Sequence, residues 1–198
     1  MNIPSIGRCK PLLLALLLCA PVAHAADGVR VANEGGIRGE WMLAPGATLP
    51  APGYPGAFAA RGDNVCVAVG YRIRPDGSTS DFTLLKAWAS SSGEREPAEG
   101  FWDAFSQASV QALQQWKFAP RPEVRHAVAV DTVATMTFMG KEAVDAGMLR
   151  GKCKIDDLQA FLEQAKTDMA KRSDLNRHQL NKAYQQQTRS EMIRTPRQ

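Results

Sequence analysis

The stretch VCVAVGYRIRPDGSTSDFTLLKAWA, residues 65–89, decides the fold because its pattern is typical of two strands joined by a tight turn. In its first part, bulky side chains alternate with small or polar ones. One face carries Val65, Val67, Val69, Tyr71 and Ile73, and the other carries Cys66, Ala68, Gly70 and Arg72. A period of two predicts a β-strand. Pro75 to Ser78 are turn residues, and Gly77 takes the positive φ that other residues resist. We therefore predict an antiparallel hairpin whose second strand runs from Ser80 to Ala89, with Phe82, Leu84 and Trp88 on one face, and lies at the edge of the sheet.

A helix and a third strand are predicted after the hairpin. An apolar stripe recurs at helical spacing, formed by Phe101, Phe105, Ala108, Ala112 and Trp116. Pro97 suits the first turn of this helix, and Pro120 ends it. The period returns to two from Ala127 to Phe138. If the helix carries the chain back across the sheet, the third strand pairs beside the first. The predicted fold class is α+β, with a three-stranded antiparallel sheet in the order 2-1-3 packed by helices.

The segments on either side of this unit have different patterns. Residues 26–53 are rich in Gly and Pro, and the pattern from Glu40 to Leu43 predicts one short strand in an extended lead-in. After Gly140 a second apolar stripe predicts another helix, with the members Ile155, Leu158, Leu162, Ala165 and Met169. We expect this C-terminal extension, residues 141–198, to dock on the domain of residues 54–140 as far as Met169 and to end in a basic, polar tail.

The first 25 residues have the pattern of a targeting segment. Arg8 and Lys10 precede an apolar stretch over residues 11–20, and the small residues Ala23 and Ala25 follow. This arrangement is typical of a Sec-type signal peptide. We predict that the signal peptide directs export and that cleavage between Ala25 and Ala26 releases the mature chain. The alternative is an uncleaved anchor, for which the apolar core is short.

The composition of the chain is that of an ordinary globular protein, with 198 residues, 44% hydrophobic and 22% charged. Removal of residues 1–25 changes 24 Lys and Arg against 20 Asp and Glu into 22 against 20. This balance argues against a nucleic-acid partner. No apolar run after Ala25 approaches the roughly 20 residues of a membrane-spanning helix. Residues 166–198 hold eight Lys or Arg and three Asp or Glu, a tail that we expect to be a solvated helix or frayed terminus rather than a binding segment.

Two cysteines remain after the predicted cleavage, Cys66 and Cys153. In an oxidising compartment such a pair favours one disulfide, which would attach the C-terminal extension to the small-residue face of the first strand. The alternative is a pair of separate buried thiols, because free cysteine packs well as a small hydrophobe.

The motifs that carry catalysis or bind cofactors are missing from the sequence. It contains no CxxC, GxGxxG, HExxH or GxSxG, and the mature chain has only His126 and His178. We interpret His126 as a surface residue and the tripeptide Arg61-Gly62-Asp63 as a chance match to an adhesion motif. Trp88, Trp102 and Trp116 are expected in the core rather than as sugar-stacking platforms. We predict neither an enzyme nor a cofactor.

The order of several short motifs resembles a known family. Tyr54-Pro55, Asp76-Gly77 in the hairpin, Ser91-Ser92-Gly93, Trp116-Lys117-Phe118-Ala119-Pro120 and a last strand ending in Phe138 together look like the C-terminal domain of TonB-type energy transducers, over about residues 50–140. The resemblance implies a three-stranded antiparallel sheet covered by helices, in the periplasm of a Gram-negative bacterium.

In that family, the edge of the last strand captures an extended peptide of an outer-membrane receptor by strand addition. Carried over to this sequence, the capturing residues are Val128, Ala129, Val130, Asp131, Thr132, Val133 and Ala134. Unpaired backbone groups on such an edge bind a strand with little demand on its sequence. Which of these residues point their N–H groups outward depends on the register, which the sequence leaves open.

Two features depart from the transducer pattern. Transducers keep an N-terminal membrane helix and a long Pro-rich linker, whereas this chain has the predicted signal peptide and about thirty residues of lead-in, and it adds a C-terminal extension that could cover the edge. The first hypothesis is therefore a periplasmic binding or adaptor module that engages an envelope protein. The alternative is an energy transducer for transmembrane transport with a retained anchor. An enzyme would require a convergent cluster of titratable residues, and a homodimer is left open.

Overall fold

The computed structural model describes residues 29–172 and Lys182, and it has the predicted α+β architecture. The elements in chain order are β1 (Arg30–Val31), β2 (Trp41–Leu43), β3 (Val65–Ile73), β4 (Thr79–Ala89), α1 (Phe101–Leu113), β5 (Phe118–Pro120), β6 (Val130–Phe138), α2 (Ala146–Cys153) and α3, which is helical over 158–172. One sheet has four strands in the order β1-β6-β3-β4, and β2 pairs with β5 in a second, two-stranded sheet.

The hairpin of β3 and β4 is tight because its turn residues satisfy one another. The Asp76 carboxylate accepts hydrogen bonds from Ser78 Oγ at 2.6 Å and from Ser78 N at 2.9 Å, and these bonds lower the pKa of Asp76. Gly77 has a φ of +77°, and a Cβ atom there would lie 1.8 Å from the carbonyl oxygen of Phe118. Both the backbone conformation and the space therefore require glycine.

The prediction that one face of β4 carries Phe82, Leu84 and Trp88 is wrong. Phe82 and Leu84 pack in the core beside α1, whereas Trp88 packs in the core on the opposite face. The cause is a register shift between β3 and β4 after Ala68, because an extra residue in one strand reverses the alternation of its side chains.

An aromatic core fills the space between the sheet and α1. Phe101, Phe105 and Leu113 of α1 are fully buried against the bulky face of β3. The Phe105 ring lies 4.8 Å from that of Phe138 and 5.1 Å from that of Tyr54, in edge-to-face contacts that are favourable for aromatic pairs. The helix begins at Phe101 instead of near Pro97, because Gly100 adopts a left-handed φ of 72° directly before it.

The sheet has four strands where three were predicted. Arg30 and Val31 of the lead-in form β1, which pairs in parallel with Val130 and Asp131 of β6. The three long strands follow the order β4-β3-β6, with β3 antiparallel to both neighbours. The predicted strand from Ala127 begins three residues later, at Val130. The sequence analysis missed β1 because the alternation around it covers only four residues, Val29 to Ala32.

The C-terminal extension packs on the small-residue face of the sheet. The structure contains the disulfide between Cys66 of β3 and Cys153 of α2, with a Cα separation of 5.9 Å, inside the usual range for such bonds. Leu149 and Leu158 are buried beside it. Docking ends earlier than expected, since Met169 is 67% exposed. Eleven helical residues after Leu158 span about 16 Å, enough to carry α3 past the packed surface.

Candidate functional site: the outer edge of β6

Five of the predicted capturing residues, Val130 to Ala134, begin β6, and Val128 and Ala129 precede it. The backbone groups of the strand alternate between its two sides. Val130, Thr132 and Ala134 pair with Ile73, Tyr71 and Val69 of β3. Ala129 and Asp131 direct their carbonyl groups to the opposite, outer side, where both accept hydrogen bonds from the lead-in. Because the direction alternates along a strand, Val133, Thr135 and Thr137 also face outward.

The first part of the outer edge is covered, which corrects the expectation of unpaired groups there. Arg30 N donates to Ala129 O at 3.2 Å, and Ala32 N donates to Asp131 O at 2.9 Å. The cover comes from the lead-in rather than from the C-terminal extension. We call residues 129–131 the closed half of the edge.

The middle of the edge is capped by a single carboxylate. Glu34 Oε1 accepts a hydrogen bond from Thr135 N at 2.8 Å, and Glu34 Oε2 accepts one from Thr135 Oγ1 at 2.9 Å. Arg150 of α2 donates to the same carboxylate and holds it in place. Glu34 thus occupies the position that a carbonyl oxygen of an added strand would take.

The remaining outward groups belong to residues 133–137, which we call the open half of the edge. Among the described residues, none forms a hydrogen bond to the outward N–H of Val133 or of Thr137. The lead-in turns away here because Gly35 adopts a φ of 77°, and the short helical turn Gly36–Gly39 follows. The open half therefore offers backbone donors and acceptors of the kind that bind an extended peptide.

A groove of about 640 Å³ runs along the open half. Its floor includes Ala134, Met136, Tyr71 and Trp116, and apolar side chains of the lead-in form the facing wall, namely Trp41, Met42, Leu43, Leu49 and Pro50. Met42 is 40% exposed and Leu49 is 49% exposed. An apolar groove next to unpaired strand groups can hold the alternate side chains of an added strand.

The floor of the groove is fixed by contacts of its aromatic residues. The rings of Tyr71 and Trp116 meet edge to face at 6.1 Å, and Trp116 Nε1 donates to Pro50 O at 3.3 Å. Burial, with a smaller contribution from the negative charge of Glu34, raises the pKa of Tyr71. The Tyr71 hydroxyl therefore stays neutral at physiological pH.

The opposite edge of the sheet, formed by β4, is irregular. Its pairing with β3 shifts register twice, and Asp81 adopts a φ of 54° that is rare for residues other than glycine. Bulges and charged residues on an edge strand hinder the pairing of another chain. The β4 edge is therefore a poor acceptor for a strand, although it is exposed at Thr83.

The sequence analysis missed β1, Glu34 and Arg150. The alternation from Val29 to Ala32 was a weak signal for β1, but Glu34 and Thr135 are 101 residues apart and no local pattern joins them. The predicted cleavage residues Ala25 and Ala26, and His178, lie outside the described residues. His126 is exposed, as expected.

Two further findings concern the part of the chain that the structure describes. No three of its His, Cys, Asp and Glu side chains are grouped so as to hold a metal ion. None of its helices combines the length and the apolar character that crossing a membrane requires.

Comparison with known proteins adds two solved structures. No family model and no curated protein matches the chain. The chain is similar to the solution NMR structure of the Pseudomonas aeruginosa TonB C-terminal domain, with 23% identity, a TM-score of 0.39, and coverage of 52% of this chain and 90% of that chain. It is also similar to the solution structure of the Helicobacter pylori TonB C-terminal domain, with 23% identity, a TM-score of 0.31, and coverage of 46% and 84%. Both structures are TonB C-terminal domains, the family that the sequence motifs resemble.

Proposed function

We propose that this protein is a periplasmic binding or adaptor module that captures an extended segment of an envelope protein by β-strand addition. The acceptor is the open half of the β6 edge. The observation that carries the proposal is the position of the outward groups of Val133 and Thr137, which have no hydrogen-bond partner among the described residues and border an apolar groove. The order of motifs from Tyr54 to Phe138 supports the same mode of binding, because that mode belongs to the family they resemble.

Binding by this route requires only local rearrangement. A strand that continues along β6 from the end of β1 displaces the Glu34 carboxylate from Thr135 and replaces it with a carbonyl oxygen. Main-chain hydrogen bonds then supply most of the affinity, and side chains that alternate into the groove supply selectivity.

Photo-crosslinking in intact cells tests the proposal. A photoreactive amino acid is placed at Met42 or Leu49 on the groove wall, and at the exposed Thr83 on β4 as the matched control. We expect the groove positions, but not Thr83, to capture an envelope protein that mass spectrometry identifies.

A second variant separates strand addition from general adhesion to the groove. Thr137→Pro removes an outward N–H that has no partner in the described residues, so the fold is expected to persist while capture is lost. Unchanged capture by a folded Thr137→Pro protein would rule out strand addition at this edge.

The alternative function is an energy transducer for TonB-dependent outer-membrane transport. It requires that residues 1–25 stay attached as an anchor, because only a membrane segment can meet an ion-driven motor. N-terminal sequencing of the exported protein distinguishes the two functions: a chain that starts at Ala26 supports the adaptor, and a chain that starts at Met1 supports the transducer.

A further inference from the structure

Two arginines stand at the rim of the groove in a fixed arrangement. Arg38 belongs to the turn Gly36–Gly39, and Arg121 follows β5. Arg121 Nε donates to Arg38 O at 2.5 Å, and Arg121 N donates to Glu40 O at 2.8 Å. Both residues line the groove, so their guanidinium groups belong to the same surface as the open half of the edge.

The positive charge of this pair is not compensated within the described part of the chain. No Asp or Glu there lies within 4.0 Å of Arg38 or Arg121, whereas Arg150 on the same rim is paired with Glu34. The groove therefore carries two uncompensated positive charges beside its apolar walls. Guanidinium groups form strong, charge-assisted hydrogen bonds with carboxylates.

The parts of this chain that the structure does not describe have the wrong charge to fill the groove. Residues 1–28 hold two Lys or Arg against one Asp, and residues 173–198, of which the structure describes only Lys182, hold five Lys or Arg against two acidic residues. Both segments are net positive, like the arginine pair. Charge complementarity thus favours an acidic segment from another protein.

We propose that the captured strand carries acidic side chains, which Arg38 and Arg121 bind, and alternates them with apolar ones. This inference rests on the proposed function and adds the chemistry of the partner. Because side chains of a strand point to opposite faces in turn, every second residue of the added strand enters the groove. Acidic residues in that series meet the arginines, and apolar residues contact the wall formed by Met42, Leu43 and Leu49.

Synthetic peptides of matched sequence test the inference. The probes are fluorescein-labelled TVTETVTET, TVTQTVTQT and TVTKTVTKT, each blocked at both ends, and their binding to the purified protein is followed by fluorescence anisotropy. We expect the Glu peptide to bind about tenfold more tightly than the Gln peptide, and the Lys peptide to bind most weakly. The preference for Glu is expected to shrink when ionic strength rises from about 0.05 M to about 0.5 M, because salt screens exposed charges. Equal affinity for the Glu and Gln peptides at low salt overturns the inference.

Substitutions locate the preference. The double variant Arg38→Gln with Arg121→Gln is expected to bind the Glu and Gln peptides with affinities that differ by no more than about twofold. The variant with lysine at both positions keeps the charge and is expected to retain part of the preference for the Glu peptide. Loss of that preference in both double variants, together with an altered circular dichroism spectrum, would indicate misfolding. The exposed Arg125→Gln serves as the control and is expected to change nothing. A full preference in the folded double-glutamine variant overturns the inference.

The same peptides distinguish failure of the inference from failure of the proposed function. If Thr137→Pro weakens binding of all three peptides but the wild type shows no preference for the Glu peptide, the proposed strand addition is supported. The inference that the partner strand is acidic is then wrong. If the preference for Glu is present but a folded Thr137→Pro protein binds every peptide as the wild type does, the proposed strand addition is wrong, and the inference falls with it.

Discussion

The outer sides of β6 and β4 in the main sheet are protected in different ways. β6 pairs with β3 over nine residues without a break, whereas the pairing of β4 with β3 shifts register twice and includes Asp81 at a positive φ. The irregular β4 edge needs no cover, because its outward groups are not aligned for another strand. The regular β6 edge is covered instead, by β1 and by the carboxylate of Glu34.

This difference shows how a strand edge can be kept regular without being left fully open. A bulge would protect β6 permanently, whereas a two-residue strand and one side chain leave the groups of residues 133–137 in register. Glu34 is held in place by α2, which packs on the small-residue face of the sheet, opposite α1. Arg150 of α2 binds Glu34, and Cys153 of α2 is bonded to Cys66 of β3. We therefore expect the edge to respond to changes in all three components.

Removal of the disulfide should have the largest effect. The bond closes a loop of 87 residues, and the chain-entropy model gives a stabilisation of up to about 4–5 kcal/mol for a loop of that size. We expect Cys66→Ala with Cys153→Ala to lower the free energy of unfolding by several kcal/mol (about 2–5 kcal/mol) in urea denaturation. Hydrogen exchange should also quicken at Thr135, because α2 no longer holds Arg150 in place. A double variant with unchanged stability would show that α2 is fixed by packing of Leu149 and Leu158 alone.

Proline substitutions along β6 should separate its two sides. Ala134 faces β3, so Ala134→Pro removes a hydrogen bond of the sheet interior and should cost about 3 kcal/mol or more. Thr137→Pro, on the outer side, should cost less than about 1 kcal/mol, because the substituted N–H has no partner to lose. Ala87→Pro on the outer side of β4 is the matched control, and it should leave peptide binding intact. Thermal denaturation measures the loss of stability in each of the three variants. Equal losses for Ala134→Pro and Thr137→Pro would contradict the register of β6 against β3.

Replacement of Glu34 should open the middle of the edge. Glu34→Ala removes the acceptor of Thr135 N and the partner of Arg150, so we expect a loss of stability of about 1–2 kcal/mol together with tighter binding of an added strand. Glu34→Gln keeps an acceptor oxygen and should show a smaller change in both measurements. The exposed Glu142→Gln is the control. Weaker peptide binding by the folded Glu34→Ala protein would mean that Glu34 assists capture instead of competing with it.

A substitution at Gly35 should give the smallest effect. Gly35 has a φ of 77° where the lead-in leaves β6, and a Cβ atom there contacts nothing, so Gly35→Ala should cost about 1 kcal/mol through backbone strain alone. Gly39 also has open space around it but no positive φ, and Gly39→Ala should be neutral. Calorimetric melting of the two variants compares them directly. Equal melting temperatures would show that the turn at Gly35 does not hold β1 in place.

The parts of the fold that could be predicted from the sequence are those set by local periodicity. The alternation around Val67, the stripe of Phe101 and Phe105, and the turn at Gly77 each lie within one element, so β3, α1 and the hairpin followed from them. The pairing of Cys66 with Cys153 could be predicted because they are the only two cysteines outside the predicted signal peptide. The start of α1 was predicted too early, because Pro97 is suited to the first turn of a helix. The helix begins at Phe101 instead, directly after Gly100 with its left-handed φ.

The site was harder to predict because its cover depends on contacts between distant residues. Arg30 meets Ala129, and Glu34 meets both Thr135 and Arg150, across about a hundred residues of chain in each case. Such pairs leave no trace in a single sequence. The resemblance pointed to the strand that we propose as the acceptor, but not to the half of its edge that is uncovered in the structure.

Hydrogen exchange measured residue by residue, with and without saturating TVTETVTET peptide, tests the central claim most directly. If the open half of β6 accepts a strand, the amides of Val133 and Thr137 gain protection on binding, because each then donates to the added strand or is shielded by it. The amide of Ala87 on the opposite edge stays unchanged. Saturated protein in which Val133 and Thr137 exchange as before, or in which protection appears at Ala87 instead, would contradict the claim.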